Sequence, residues 1–126
     1  MKFEDDLSKT IVNCSYKIHT TLGPGLLESV YEAALCYELI KEGLEVKQQC
    51  PMPVSYGNVR LEIGFRADII VEDVVIIEIK AVEETGPVHF KQLLTYLKVT
   101  NIKLGLLINF NKARIKDGIH RVVNNL

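Results

Sequence analysis

The stretch ADIIVEDVVIIEIKA, residues 67–81, is apolar enough to be buried, yet it carries Asp68, Glu78 and Lys80. Glu78 and Lys80 are two apart, so on a strand they project to one face. Where Asp68 points depends on the turn between the strands. A two-residue turn at Glu72-Asp73 sets it on the face of Ile77 and Ile79, whereas a three-residue loop, Glu72 to Val74, sets it across from Glu78. In the second case two carboxylates are cross-strand neighbours, an unfavourable pairing for like charges. At ~4 Å and an effective dielectric near 20 the repulsion is about 4 kcal/mol, and desolvation adds to it. A divalent cation offsets that cost. Two carboxylates and a backbone carbonyl, here that of Ile79, suit Mg²⁺ or Mn²⁺. Lys80 is then placed to hold or deprotonate a water, or to steady a phosphate. A structural triad, with Lys80 simply pairing one of the acids, is the other reading of the same three residues.

The elements that must position these groups follow from hydrophobic period. Leu7, Ile11, Cys14, Ile18 and Leu22 recur at helical steps over residues 4–22. Gly23-Pro24-Gly25 breaks the chain, and a second helix runs from about Leu26 to Glu42, with Gly43 as its stop. The period then changes to alternation. LEVKQQCPMPVSY reads as a strand whose two prolines confine it to an edge or a bulge. Gly57-Asn58 is a turn signal, and after it Val59, Leu61, Ile63, Phe65, Ala67, Ile69 and Val71 are expected on one face. VIIEIKA is the next strand. Pro87 opens a helix to about residue 99, KLGLLINF is a buried strand, and GIHRVVN is a short last strand or turn. The order α, α, three strands in a meander, α, β predicts an α/β fold with one mixed sheet covered by helices.

Composition bounds the rest. The 126 residues, 48% hydrophobic and 25% charged, suit one soluble domain spanning 1–126, with helix 4–22, a core at 26–109 and a tail at 110–126. No stretch is apolar enough for a membrane span, and the acidic start MKFEDDLSKT is no secretory signal, so a cytoplasmic location is expected. Cys14, Cys36 and Cys50 are an odd number without close spacing, as expected of free thiols rather than a disulfide frame or zinc site. Net charge is −1, but residues 98–126 hold six Lys/Arg against Asp117 alone. That basic quarter either lines a nucleic-acid groove or balances the acidic N-terminal helices.

The pattern D-x₉-E-x-K on two strands, with helices around it, resembles the PD-(D/E)xK nuclease superfamily, whose α-β-β-β-α-β core matches residues 26–109. Two further motifs sharpen the resemblance. GLLESVYEAAL carries Gly25, Glu28 and Tyr31 in the G-x-x-E-x-x-Y pattern of the bacterial GxxExxY proteins. HFKQLLTYLK places Gln92 and Tyr96 one helical turn apart with His89 above them, similar to the Q-x-x-x-Y motif of RecB-like exonucleases. The resemblance implies metal-dependent hydrolysis of nucleic-acid phosphodiesters. Asp68, Glu78 and the Ile79 carbonyl would bind Mg²⁺ or Mn²⁺, and Glu28 would be a further ligand or water anchor. Lys80 would assist the water, Gln92 would complete the catalytic set, and Tyr31, Tyr96 and His89 would position substrate. Position 67, nominally proline in the superfamily, is alanine here. The implied partner is nucleic acid, DNA more than RNA, and a homodimer is compatible with so small a chain. The alternative is a catalytically inactive nuclease-like module that binds nucleic acid or a protein.

Overall fold

The computed structural model of the chain describes residues 2–126, the side chains of Lys2 and Ile63 excepted. Helices α1 (Lys2–Leu22) and α2 (Glu28–Lys41) precede strands β1 (Val46–Tyr56), β2 (Val59–Val71) and β3 (Val75–Lys80). Helix α3 (Pro87–Thr100), strand β4 (Leu104–Asn109), a 3₁₀ turn (Ile115–Gly118) and strand β5 (Ile119–Val123) follow. The strands form one sheet in the order β1-β2-β3-β4-β5. The β3–β4 pair is parallel and the other pairs are antiparallel. This is the mixed sheet that the sequence pattern predicts, with α3 as the crossover between its two parallel strands.

Both faces of the sheet are covered. Val75, Ile77 and Ile79 pack with Leu104, Leu106 and Ile108 against Leu7, Ile11 and Ile18 of α1 and Tyr31, Leu35 and Leu39 of α2. The opposite face joins Ile76 and Leu107 to Leu93 and Leu97 of α3. Burial on both sides explains why β3 and β4 read as nearly unbroken apolar runs. Gly105 lets α3 approach closely, since a Cβ there would stand 2.9 Å from Leu93 Cγ.

β1 is an edge strand, as its prolines require. Pro51 pairs with Arg66, and the register slips between Met52 and Val54, at Pro53. The hairpin closes through Gly57-Asn58, with Tyr56 paired to Val59. β2 joins β3 only from Ile69 to Val71, so most of the β1–β2 hairpin stands beyond the sheet as a two-stranded arm. Here the expected single face of β2 fails. Val59 and Leu61 are exposed, Ala67 and Phe65 pack toward α3, and Ile69 and Val71 pack toward α1 and α2. Ile63 lies outside the described side chains. Ala67 and Ile69 would share a face in a regular strand, so β2 is wrung at the residue between them, Asp68.

The three cysteines are free, Cys14 and Cys36 buried and Cys50 half-buried. Burial, with Glu32 nearby, pushes the Cys36 thiol up to about 11. Much of the basic C-terminal surface is paired: Arg121 with Asp5 at 2.9 Å, Lys112 with Glu84 at 2.9 Å and Arg114 with Asp117 at 4.0 Å. Of these three bases only Arg121 pairs with an acid of the N-terminal helices. No described helix is long and apolar enough to cross a membrane.

Candidate active site

The β2–β3 register resolves the choice left open by the sequence. Val71 pairs with Val75, Ile70 with Ile76 and Ile69 with Ile77, so the loop takes three residues, Glu72 to Val74. Glu72 and Asp73 both adopt left-handed φ, +54° and +55°, and the Val74 N–H donates to Val71 O at 2.9 Å. Continued one step, the register sets Asp68 opposite Glu78.

At that step the ladder opens. The Asp68 N–H donates to Glu78 Oε2 at 3.0 Å, and the Ile79 N–H donates to Asp68 Oδ2 at 2.9 Å. Side-chain carboxylates thus take the place of backbone carbonyls where the strands fork, so no amide is orphaned by the fork. The pair is held by main-chain donors on stiff strands, which fixes its geometry more firmly than mobile side-chain partners would.

Glu78 is buried, 6% exposed, on the same face as Ile76 and hence toward α3. Burial foremost, and then the Asp68 charge, push its carboxyl up to about 8; the Asp68 N–H and Lys80 oppose that rise, and Glu32 adds to it. Lys80, half-buried, shares the Glu78 face at the strand end, where its carbonyl accepts the Phe110 N–H at 2.9 Å. Tyr96 of α3 packs against the core on this same face. Its ring stacks on Phe65 at 3.8 Å between centroids, and burial, then Glu78 and Asp68, raise its phenol. Gln92 lies one turn before Tyr96, exposed. Asp68, Glu78, Lys80 and Tyr96 therefore share one side of the sheet, with Gln92 at its border.

Three other expected residues are placed differently. Tyr31 is fully buried; its hydroxyl donates to Gly23 O at 2.6 Å and accepts the Leu26 N–H at 3.0 Å, while its ring stacks on Phe110 at 4.6 Å. It ties down the Gly-Pro-Gly loop and is out of reach of a substrate, which corrects its assignment as a positioning group. His89 Nδ1 accepts the Gly86 N–H at 3.2 Å and so caps α3. Glu28 Oε2 accepts the Ala81 N–H at 3.3 Å, bracing the backbone immediately after Lys80. It reaches the end of β3 from the α2 side. Among the described residues no three His, Cys, Asp or Glu side chains form a metal-binding group.

Two features carry no signal that the sequence reading picked up. Glu32, buried on α2 one turn after Glu28, accepts from Gln48 Nε2 at 2.7 Å and from Gln49 Nε2 at 2.8 Å. Asn109, fully buried at the end of β4 and paired with Lys80, donates to Val82 O at 2.8 Å and accepts the N–H groups of Val82 and Asn111 at 3.2 and 3.1 Å. It staples the segment that follows Lys80. A glutamate on the buried stripe of a helix and an asparagine ending an apolar strand are the only sequence signals for either.

A family model described as the PD-(D/E)XK nuclease superfamily matches residues 5–122. The chain belongs to that superfamily. No curated protein and no solved structure matches the chain significantly. The α2-β1-β2-β3-α3-β4 succession is the superfamily core anticipated from the sequence, and the membership supports a nuclease-like function.

Proposed function

We propose that this PD-(D/E)XK protein is a metal-dependent nuclease acting on nucleic-acid phosphodiester bonds. The observation that carries the reading is the Asp68–Glu78 pair: two like-charged carboxylates, one nearly buried, held by main-chain amides beside Lys80. The described hydrogen bonds engage only Oε2 of Glu78, leaving Oε1 free to accept. Such a donor set fits a hard, oxygen-seeking divalent ion, Mg²⁺ or Mn²⁺, held by Asp68, Glu78 and the Ile79 carbonyl. When bound, that ion would neutralise charge on the phosphate.

The chain's own residues would do the rest. Lys80 orients the attacking water and takes part in its deprotonation. Glu28, through the Ala81 amide, and Asn109, through Val82, hold the strand end on which Lys80 sits. Tyr96 and Gln92 line the approach to the scissile bond from α3. The G-x-x-E-x-x-Y pattern at Gly25, Glu28 and Tyr31 supports placing the chain with the GxxExxY proteins. There Tyr31 acts as the post that sets the glutamate's loop.

The test is incubation with single- and double-stranded DNA and RNA, with Mg²⁺, Mn²⁺ or EDTA. Cation-dependent cleavage is expected, DNA more than RNA, and Lys80→Ala should slow it by about 10²- to 10⁴-fold with the fold intact. Cleavage unchanged in that variant rejects the assignment of Lys80. No cleavage of any substrate by the wild type favours a nuclease-like binding module.

A further inference from the structure

Consecutive residues of a strand point to opposite faces, so Gln48 and Gln49 should not reach the same partner. Both do: their carboxamides donate to the two oxygens of Glu32. The cause is the Gln49 backbone, which takes φ +50° in the middle of β1. That left-handed conformation is sparsely populated by residues with a Cβ, and glutamine is not among the types enriched there. It persists only where the surroundings over-determine it, and such residues cluster at functional sites. Gln49 lies between the pairs Gln48–Ile69 and Cys50–Ala67, hence across from Asp68, where β2 is wrung. Its Nε2 also stands 3.3 Å from Asp68 Oδ1.

We propose that Gln49 is a positioning residue for Asp68. Buried Glu32 anchors the carboxamide, which has one N–H for Glu32 and a second for Asp68. Asp68 is thereby held at both oxygens, Oδ1 by Gln49 and Oδ2 by the Ile79 amide. The choice of an amide has a chemical reason. A lysine or arginine here would hold Asp68 equally well but would cancel its charge, whereas a neutral donor leaves the carboxylate fully able to attract a cation. Glu32 in turn serves as the amide's acceptor. The functional part of this inference rests on the nuclease reading; the orienting contact does not.

The test uses Gln49→Gly, because glycine adopts φ +50° freely; that relief offsets part of the stability lost when buried Glu32 loses a donor, and the variant should still fold. Glu32→Gln, which keeps the side-chain shape, serves as the second variant. Amide hydrogen exchange read by NMR follows Ile79, whose N–H depends on the Asp68 carboxylate. Loss of the Gln49 contact should speed that exchange by about tenfold while distant β4 amides stay protected. Mn²⁺ affinity, measured by calorimetry, should fall by about 10- to 100-fold, with Glu32→Gln between wild type and Gln49→Gly. Ile79 exchange within twofold of wild type in folded Gln49→Gly overturns the proposal. If the wild type binds no Mn²⁺ and cleaves nothing, the nuclease reading falls, and Ile79 exchange alone still decides the role of Gln49.

Discussion

Glu78 should give the metal-free protein a stability that declines as pH rises. Its carboxyl is pushed from an ordinary 4.5 up to about 8 in the fold, by burial first and Asp68 second. Below 4.5 the group is protonated whether the chain is folded or not, and its burial carries no charge penalty. Between 4.5 and about 8 the unfolded chain releases the proton and the folded chain keeps it, so the unfolded state binds fewer protons and stability falls with pH. The limiting slope is about 1.4 kcal/mol per pH unit and the ceiling on the order of 5 kcal/mol. Water entry and relaxation around a paired site reduce this to roughly 2–4 kcal/mol, still a large share of the ~5–15 kcal/mol that holds such a domain together. Other carboxylates pull the opposite way at the acid end. Arg121 lowers Asp5 through a hydrogen bond, and Lys17 lowers Glu38 in the same manner; both contribute stability that is lost as pH falls through their depressed values. Glu78→Gln isolates the effect, since glutamine can still accept the Asp68 N–H but does not titrate. Urea midpoints from pH 5 to 9 in EDTA should fall for wild type up to about pH 8 and then level off. The variant should lack this component and exceed wild type at pH 8. Parallel curves for the two proteins would refute both the raised carboxyl and the charge conflict from which the cation site is inferred.

Adding Mg²⁺ or Mn²⁺ should raise Tm at pH 8 more than at pH 5.5, where the proton competes for Glu78, and Asp68→Asn should abolish the rise. Asparagine is the apt replacement because Asp68→Ala would orphan the buried Ile79 amide at about 1–3 kcal/mol, masking the relief of repulsion. Tyr31→Phe removes a hydroxyl that serves both Gly23 and Leu26. A loss of about 1–3 kcal/mol in chemical denaturation is expected, with cleavage per folded molecule retained, and a selective loss of cleavage would return Tyr31 to the substrate-contacting set. Gly105→Ala drives a Cβ against Leu93 between β4 and α3 and should cost about 1–3 kcal/mol by thermal denaturation.

Much of this architecture is legible in residue types because local and tertiary requirements coincide. Gly57-Asn58 makes its hairpin, the prolines of β1 sit at an edge and a bulge, and the helix breaker at residues 23–25 falls between α1 and α2. Asp68, Glu78 and Lys80 are visible because charge is costly in so apolar a run. Their mutual placement was undecided only because a one-residue change of loop length reverses every side chain beyond it. Glu72 and Asp73 in left-handed conformation settle that length, and neither residue type signals it as a glycine would. The even alternation of residues 59–71 misleads for a related reason. It describes a flat strand, whereas the actual strand changes faces at Asp68 and runs out into an arm that has no core to face.

The same wrench explains why part of the site is hidden from sequence. Asp68, Glu78, Lys80 and Tyr96 lie on the α3 side of the sheet, while Glu28 and Glu32 come from α2 on the other. A continuous ladder would keep these two sets apart. The fork between β2 and β3 joins them: it frees Ile79 and Asp68 amides for carboxylates, and the twisted backbone at Gln49 carries an amide from Glu32 to Asp68. Glu28 reaches the same region by a separate route, at Ala81 beyond the last paired residue of β3. Residue spacing along one helix or one strand cannot show such a junction, because its partners share neither an element nor a face. What it could show is the irregularity that the junction needs: a glutamate on the buried stripe of α2, and two adjacent glutamines where an alternating strand calls for one.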